Sequence, residues 1–371
     1  MSYFHLNLIL KGKLTVCCLL MLSVIPLNAQ REAKQIGDFK ESISLNEHLR
    51  GTKRTLQYCP DGDEFVCVNG KNRYTRALYG SHSPFRVETS DRPVFAFYNN
   101  GRGGNISFKV ILRDGTELAL DRTGYCESRY SAGKRTYYLT DPSWGKGELR
   151  ISVLALADMD GAIWRFSPSN MPKGAILRWQ HGGATGKRLS RNGDMGVDPA
   201  DCFELPAEAT DLVTGELALQ KEVYLVRGEV PEGYNVRKLY QQAEPASLAL
   251  ASHLKIETPD PYLNTLGGAL VAAADGIWDG QVWLHGAIGW RMPLSGWRAG
   301  YTGDALGWHD RARTHFDAYA ASQVTDVPNT IPHPAQDSTM NLARSEKRWG
   351  TPQYSNGYIC RNPERNNQMH H

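Results

Sequence analysis

Between about residues 65 and 230, apolar positions alternate with polar ones over short runs. Phe85-Arg86-Val87-Glu88 alternates, as does Ile106-Ser107-Phe108-Lys109-Val110, and residues 94–98 form a short apolar and aromatic run. Residues 136–139, 149–153, 162–166 and 222–226 continue the series. Turn signals stand between the runs at Asn99-Asn100-Gly101, Arg113-Asp114-Gly115, Asp160-Gly161 and Asn192-Gly193. A period of two sends successive side chains to opposite faces, so these runs read as strands covered on one face. Short strands at this spacing predict an antiparallel β-sandwich. No long amphipathic helix interrupts them, which argues against a parallel α/β sheet.

The pattern changes near residue 235. Residues 236–254 carry Leu and Ala at helical spacing, interrupted by Pro245, and read as a linker with helical pieces. Pro259-Asp260-Pro261 then marks a helix start, with Asp260 as N-cap and Pro261 at the first helical position. That helix should run to about Trp278, with Leu266, Leu270, Ala273 and Ile277 as its apolar stripe. Its other faces are small or apolar, as in a helix buried between neighbours. A second helix is expected from near Asp304 to near Val324, with Trp308, Ala312, Phe316 and Tyr319 buried. Asp304, Trp308, Arg311 and His315 would share one of its faces. His315 reads as a hydrogen-bonded structural histidine, and Asp310, Arg313 and Asp317 as members of surface ion pairs. The last 45 or so residues show little periodicity.

The N-terminus follows a different logic. Lys11 and Lys13 precede a 14-residue run, 14–27, that is apolar apart from Thr15 and Ser23. It is shorter than the roughly 20 residues a membrane-spanning helix needs. Leu27-Asn28-Ala29 places a small residue before a cut, with Gln30 as the mature start; this is the layout of a secretory signal peptide. The expected organisation is therefore a leader at 1–29, a β-sandwich at 30–235, a linker at 236–259 and a helical region at 260–371. Export predicts a periplasmic or secreted protein, where disulfides are permitted. Cys59 and Cys67 flank a Pro-Asp-Gly-Asp turn and are either bridged or two free thiols.

Charge excludes more than it suggests. The 371 residues carry 42 Lys+Arg and 39 Asp+Glu, a net +3, and two of those lysines lie in the leader. So balanced a chain gives no electrostatic case for nucleic acid or an anionic membrane. No segment after the leader is long and apolar enough to insert in a bilayer. HExxH, GxSxG and a complete P-loop are absent from the sequence, and no cofactor or metal is implied.

The densest candidate chemistry lies at 283–310. Two Trp-Arg pairs, Trp290-Arg291 and Trp297-Arg298, stand among Gly286, Gly289, Gly296, Gly300 and Gly303, followed by Tyr301, Asp304, Trp308, Asp310 and Arg311. Glycines let backbone approach a ligand closely. An indole offers a flat apolar face to the C–H face of a pyranose, and Arg supplies forked donors for hydroxyls or a uronate. Asp accepts from sugar hydroxyls or transfers protons. The same residues also suit a packing role, with Arg stacked on aromatic rings; the sequence leaves both readings open.

These residues carry a resemblance. "DPYLNTLGGALVAAADGIW", "WLHGAIGWR" and "GWRAGYTGDALGWHDRARTH" resemble the start of the catalytic toroid of six-hairpin glycosidase-like proteins, and more narrowly an uncharacterised exported Bacteroides-type group of them. "NRYTRALYGSHSPFRVE" and "RPVFAFYNNGRGGNISF" are similar to that group's N-terminal β-sandwich. The resemblance implies an α+β multidomain chain: a β-sandwich followed by an (α/α)6 toroid acting on glycosidic bonds of plant or host polysaccharide. The pocket positions it implies are Trp297, Arg298, Tyr301, Asp304, Trp308 and Asp310. Twelve toroid helices need well over 150 residues at about 11–12 each plus loops. Residues 260–371 hold too few, so the chain is expected to be the first part of a longer toroid protein. Asp304 and Asp310 are the expected catalytic carboxylates; Trp290, Arg291, Trp297, Arg298, Tyr301, Trp308 and Arg311 are the expected saccharide contacts. A non-catalytic carbohydrate-binding protein and a polysaccharide lyase are the alternatives.

Overall fold

The computed structural model describes residues 57–71, 74–83, 85–99, 102–182, 212–284 and 293–321. The chain divides into two compact units, Met1–Cys59 and Pro60–His371, and the architecture below is that of the second. The leader, Asn192-Gly193, Trp290-Arg291 and the C-terminal segment lie outside the described residues.

Fourteen described strands form two antiparallel sheets, as the alternation predicts. They are β1 (Cys59–Asp61), β2 (Glu64–Val68), β3 (Tyr74–Tyr79), β4 (Arg86–Ser90), β5 (Phe95–Asn99), β6 (Arg102–Ile111), β7 (Glu117–Ala119), β8 (Tyr125–Ser131), β9 (Lys134–Thr140), β10 (Glu148–Ala155), β11 (Gly161–Ser169), β12 (Ile176–Gly182), β13 (Val213–Ala218) and β14 (Val223–Gly228). One sheet runs β1-β2-β8-β9-β10-β11-β14; the other runs β13-β12-β6-β5-β4-β3, with β7 also paired to β6.

Aromatic side chains fill the space between the sheets. Trp164 of β11 has its ring 5.5 Å from Phe95, 5.7 Å from Phe97 and 6.1 Å from Phe108, all on the opposite sheet. Tyr137 meets Phe95 edge-on at 5.7 Å, and Phe166 meets Phe108 at 5.1 Å. Register fixes who faces inward: Val153 pairs with Trp164 and Val87 with Phe97. At one end of this interior Arg135 and Asp91, both fully buried, stand 3.8 Å apart, and the Tyr137 hydroxyl donates to the Ser90 carbonyl at 2.7 Å. No disulfide joins Cys59 to Cys67 across the β1–β2 turn. Burial pushes the Cys126 thiol up to about 12, which makes it an inert core residue.

The outer face of the first sheet is also covered, which is why β11 reads as the nearly continuous apolar run Ala-Ile-Trp. Leu154, Leu156 and Ile163 pack under helix α1 (Val236–Ala251), whose Tyr240 is 1% exposed. Arg165 lies 4.5 Å over the Tyr240 ring, and Glu244 of α1 accepts from Lys134 at 3.1 Å. This helix is continuous through Pro245, against the broken pieces expected from sequence. Tertiary contacts on both sides of the proline hold the helix despite the lost backbone donor.

Helix α2 (Pro261–Gly276) starts as expected, with the Asp260 carboxylate accepting from the Tyr262 N–H at 2.8 Å. Its buried face is a different one from the expected stripe. Thr265, Gly267, Val271 and Ala272 are buried, Leu266 is half-buried, and Leu270 and Ala273 are exposed. The helix reaches the sandwich through small residues, and the Thr265 hydroxyl donates to the Gly62 carbonyl at 2.9 Å.

Candidate functional site

Helices α3 (Pro293–Ala305) and α4 (His309–Ala321) carry most of the expected site. One helix from Asp304 onward was expected; instead a break falls at Leu306–Trp308. Gly307 has φ of 77°, and its N–H donates to the Asp304 carbonyl at 2.9 Å, while Trp308 N–H donates to the Gly303 carbonyl at 2.9 Å. This pair of bonds is the Schellman ending, which needs a left-handed residue and so favours glycine there. The Trp308 carbonyl then opens α4 by accepting from Ala312 N–H. Asp304 and Trp308 therefore do not share a helix with Arg311 and His315.

The structure divides the expected residues into two groups. Trp308 and Arg311 turn toward the helical core. The Arg311 guanidinium lies 4.7 Å over the Trp308 ring and 5.8 Å over that of Trp278. Trp308 stacks on Trp283 at 6.4 Å and stands 5.6 Å from His253. Here the packing role of the Trp and Arg residues holds. His315 is fully buried and its Nδ1 accepts from Trp283 N–H at 3.0 Å, the structural role expected of it. Of the stripe expected on this helix, Ala312 is buried but Phe316 is 38% exposed.

The other group faces water. Tyr301 is 61% exposed and its ring lies 6.0 Å from Phe316. Asp304 is exposed and its Oδ1 lies 2.5 Å from His309 Nδ1. Asp310, at the start of α4, is almost fully exposed, 3.7 Å from Arg313. Tyr301 and Asp304, at i and i+3, share one side of α3. Trp297 and Arg298 fall in the N-terminal half of the same helix, with side chains outside the described residues.

Sequence reasoning missed the polar cluster joining the sandwich to the helices. Asp275, near the end of α2, accepts on Oδ1 from Arg311 at 2.7 Å and pairs there with His82 Nε2 at 3.3 Å. Burial would raise the Asp275 carboxyl, but His82 and Arg311 outweigh it and hold it below the ordinary carboxylate range. His82 sits in the β3–β4 loop, where Ser81 and Ser83 both donate to Asp160 Oδ1 at 2.5 Å. The available signal was a lone carboxylate in a helix otherwise made of small and apolar residues, which has to be paired when buried. Among the described residues, no group of three or more His, Cys, Asp or Glu is placed to hold a metal, and no helix is long and apolar enough to cross a membrane.

Fold and helices together define a class: a two-sheet antiparallel sandwich with helices packed on it, the last two carrying exposed aromatic and acidic side chains. Residues 100–229 match the model of a domain of unknown function, DUF4450. The match runs from β6 to β14 and stops short of α1, so it covers strands of both sheets and none of the described α-helices. No curated protein matches the chain.

Proposed function

We propose that this is an exported saccharide-handling protein of the glycoside-hydrolase-like kind, with the outward side of α3 as its sugar-facing surface. The observation that carries the reading is the exposed pair Tyr301 and Asp304, one turn apart, beside Phe316. Exposed rings offer flat apolar faces to sugar C–H groups, and a neighbouring carboxylate accepts from hydroxyls. The leader supports export, and the packing of α1 with α2 and of α3 with α4 suits successive hairpins of an α/α toroid.

Hydrolysis of a glycosidic bond uses two carboxylates, about 5–5.5 Å apart for retention or about 6.5–9.5 Å for inversion. Asp304 and Asp310 are the candidates, at the facing ends of α3 and α4. Both stand in water, whereas a catalytic acid is commonly raised by an apolar surrounding. That exposure favours a second reading, saccharide binding without turnover. Calorimetric titration of the full chain with an oligosaccharide panel, alongside reducing-end release, separates the two. Binding that Tyr301→Ala weakens about ten-fold supports the site. Reducing ends lost in Asp304→Asn identify a hydrolase; unsaturated products absorbing in the ultraviolet identify a lyase. Unchanged binding in Tyr301→Ala with the fold intact removes α3 from the site.

A further inference from the structure

A cavity of about 90 Å3 lies where β3, β10, α1 and α2 meet, away from the exposed side of α3. Alanine methyls, among them Ala77, Ala155, Ala246 and Ala272, form much of its wall, and four polar residues, Tyr79, Tyr130, Ser247 and Asp275, also line it. A site needs about 10–15 Å3 to hold one water, so this one has room for a small molecule of a few heavy atoms.

The polar lining is unevenly used. The Tyr130 hydroxyl accepts from Gly133 N–H, and the Ser247 hydroxyl donates to the Ala132 carbonyl. The Tyr79 hydroxyl has no hydrogen-bond partner among the described residues. Burial, more than the nearby Glu88 carboxylate, pushes it above its ordinary range, so it stays protonated and able to donate. Asp275 spends Oδ1 on both His82 and Arg311, while no described residue donates to its Oδ2. Charge is already balanced: Asp275 by Arg311 and His82, and Glu88 by its ion pair with Arg86. An unpaired cation or anion entering here would meet no opposite charge left over.

We infer that this cavity binds a small neutral polyol of about three carbons, with one hydroxyl donating to Asp275 Oδ2, another bonded to the Tyr79 hydroxyl, and the carbons against the alanine methyls. Alanine walls leave room that larger aliphatic side chains would fill, and they select against ligands needing many polar contacts. This inference stands apart from the saccharide surface on α3 and does not rest on it.

Saturation-transfer NMR on the full chain tests it, with glycerol and 1,2-propanediol as probes and lactate and 3-amino-1-propanol as charged probes of similar size. The expected result is saturable binding of the two neutral probes at millimolar concentration, as ligands of this size permit, and none of the charged ones. Ala246→Leu fills the space and should abolish the signal. Tyr79→Phe keeps the ring and the packing and should weaken binding at least ten-fold. If Ala246→Leu does not fold, Tyr79→Phe decides. The inference is overturned if the neutral probes show no saturable binding up to about 100 mM, if the charged probes bind as well, or if folded Tyr79→Phe binds them as wild type does.

Discussion

Asp275 shows how one residue acquires a role from its surroundings. Its side chain is 15% exposed, and two donors from distant parts of the chain, His82 and Arg311, meet on one oxygen. Replacing it by Asn removes the charge both donors were placed to meet and leaves the guanidinium stacked on two indoles without its carboxylate. At pH 7, Asp275→Asn should lose about 2 kcal/mol of stability, the range for hydrogen bonds to charged groups in partly buried sites. The pH dependence has a definite sign. The folded carboxyl titrates below its unfolded value of about 4, so its contribution is fully present above that pH. It is lost as pH falls through the lower folded value. Urea unfolding of wild type and variant should therefore show a gap that is present down to about pH 5 and closes in stronger acid. A gap that persists unchanged at low pH would mean that the loss is steric.

At the scale of elements, close approach decides what the pattern of apolar residues leaves open. Gly303 of α3 lies against the Trp283 indole so closely that a Cβ there would stand 2.0 Å from the ring. Trp283 is 2% exposed, stacks near Trp308 and Trp278, and donates from its indole N–H to the Ala274 carbonyl at 3.0 Å. It cannot retreat without giving up that bond. Gly303→Ala should cost about 1–3 kcal/mol by overpacking, read as a lower urea midpoint with altered tryptophan emission. Adding Trp283→Phe should recover part of the loss, since contacting residues are coupled. Additive losses would show that the ring and the glycine do not press on each other. The same geometry explains what the sequence hid. The strands were legible because Val87, Phe95 and Trp164 face inward at period two. The start of α2 was legible from Asp260 and Pro261. Its buried face was not, because it docks through Gly267 and Ala272 while the bulkier Leu270 faces water, the reverse of the usual stripe. Gly307 was visible, but as one of many glycines in a rich segment its helix-ending role was not separable from theirs. Tyr301, Asp304 and Asp310, offered by the sequence as candidates, are exposed. The pairing of His82 with Asp275 was not legible, since 193 residues separate them and no local spacing encodes the contact.

At the scale of the molecule, the question is where the sandwich stops being self-sufficient. The change of pattern near residue 235 suggests a boundary there, with the sheets folding alone and the helices appended. The packing argues for a later one. Leu154, Leu156 and Ile163 project from the sheet face away from the aromatic interior, and α1 covers them with Tyr240, Leu239 and Ala243. A chain ended at 235 would leave this face in water. Loss of a large buried aromatic alone costs about 3–5 kcal/mol, a large part of the roughly 5–15 kcal/mol that keeps a domain folded. Helix α2 adds the Thr265 bond to Gly62 and the Asp275 bond to His82, both reaching back to the sandwich. A chain ending at 276 should therefore unfold in one transition at a higher temperature than a chain ending at 235. The shorter chain should bind a hydrophobic dye, as exposed apolar sheet does. Limited proteolysis of the full chain should spare residues 236–251. Equal melting temperatures for the two truncations, or early cleavage between 236 and 251, would place the boundary back at 235 and make α1 a tether rather than a wall of the fold.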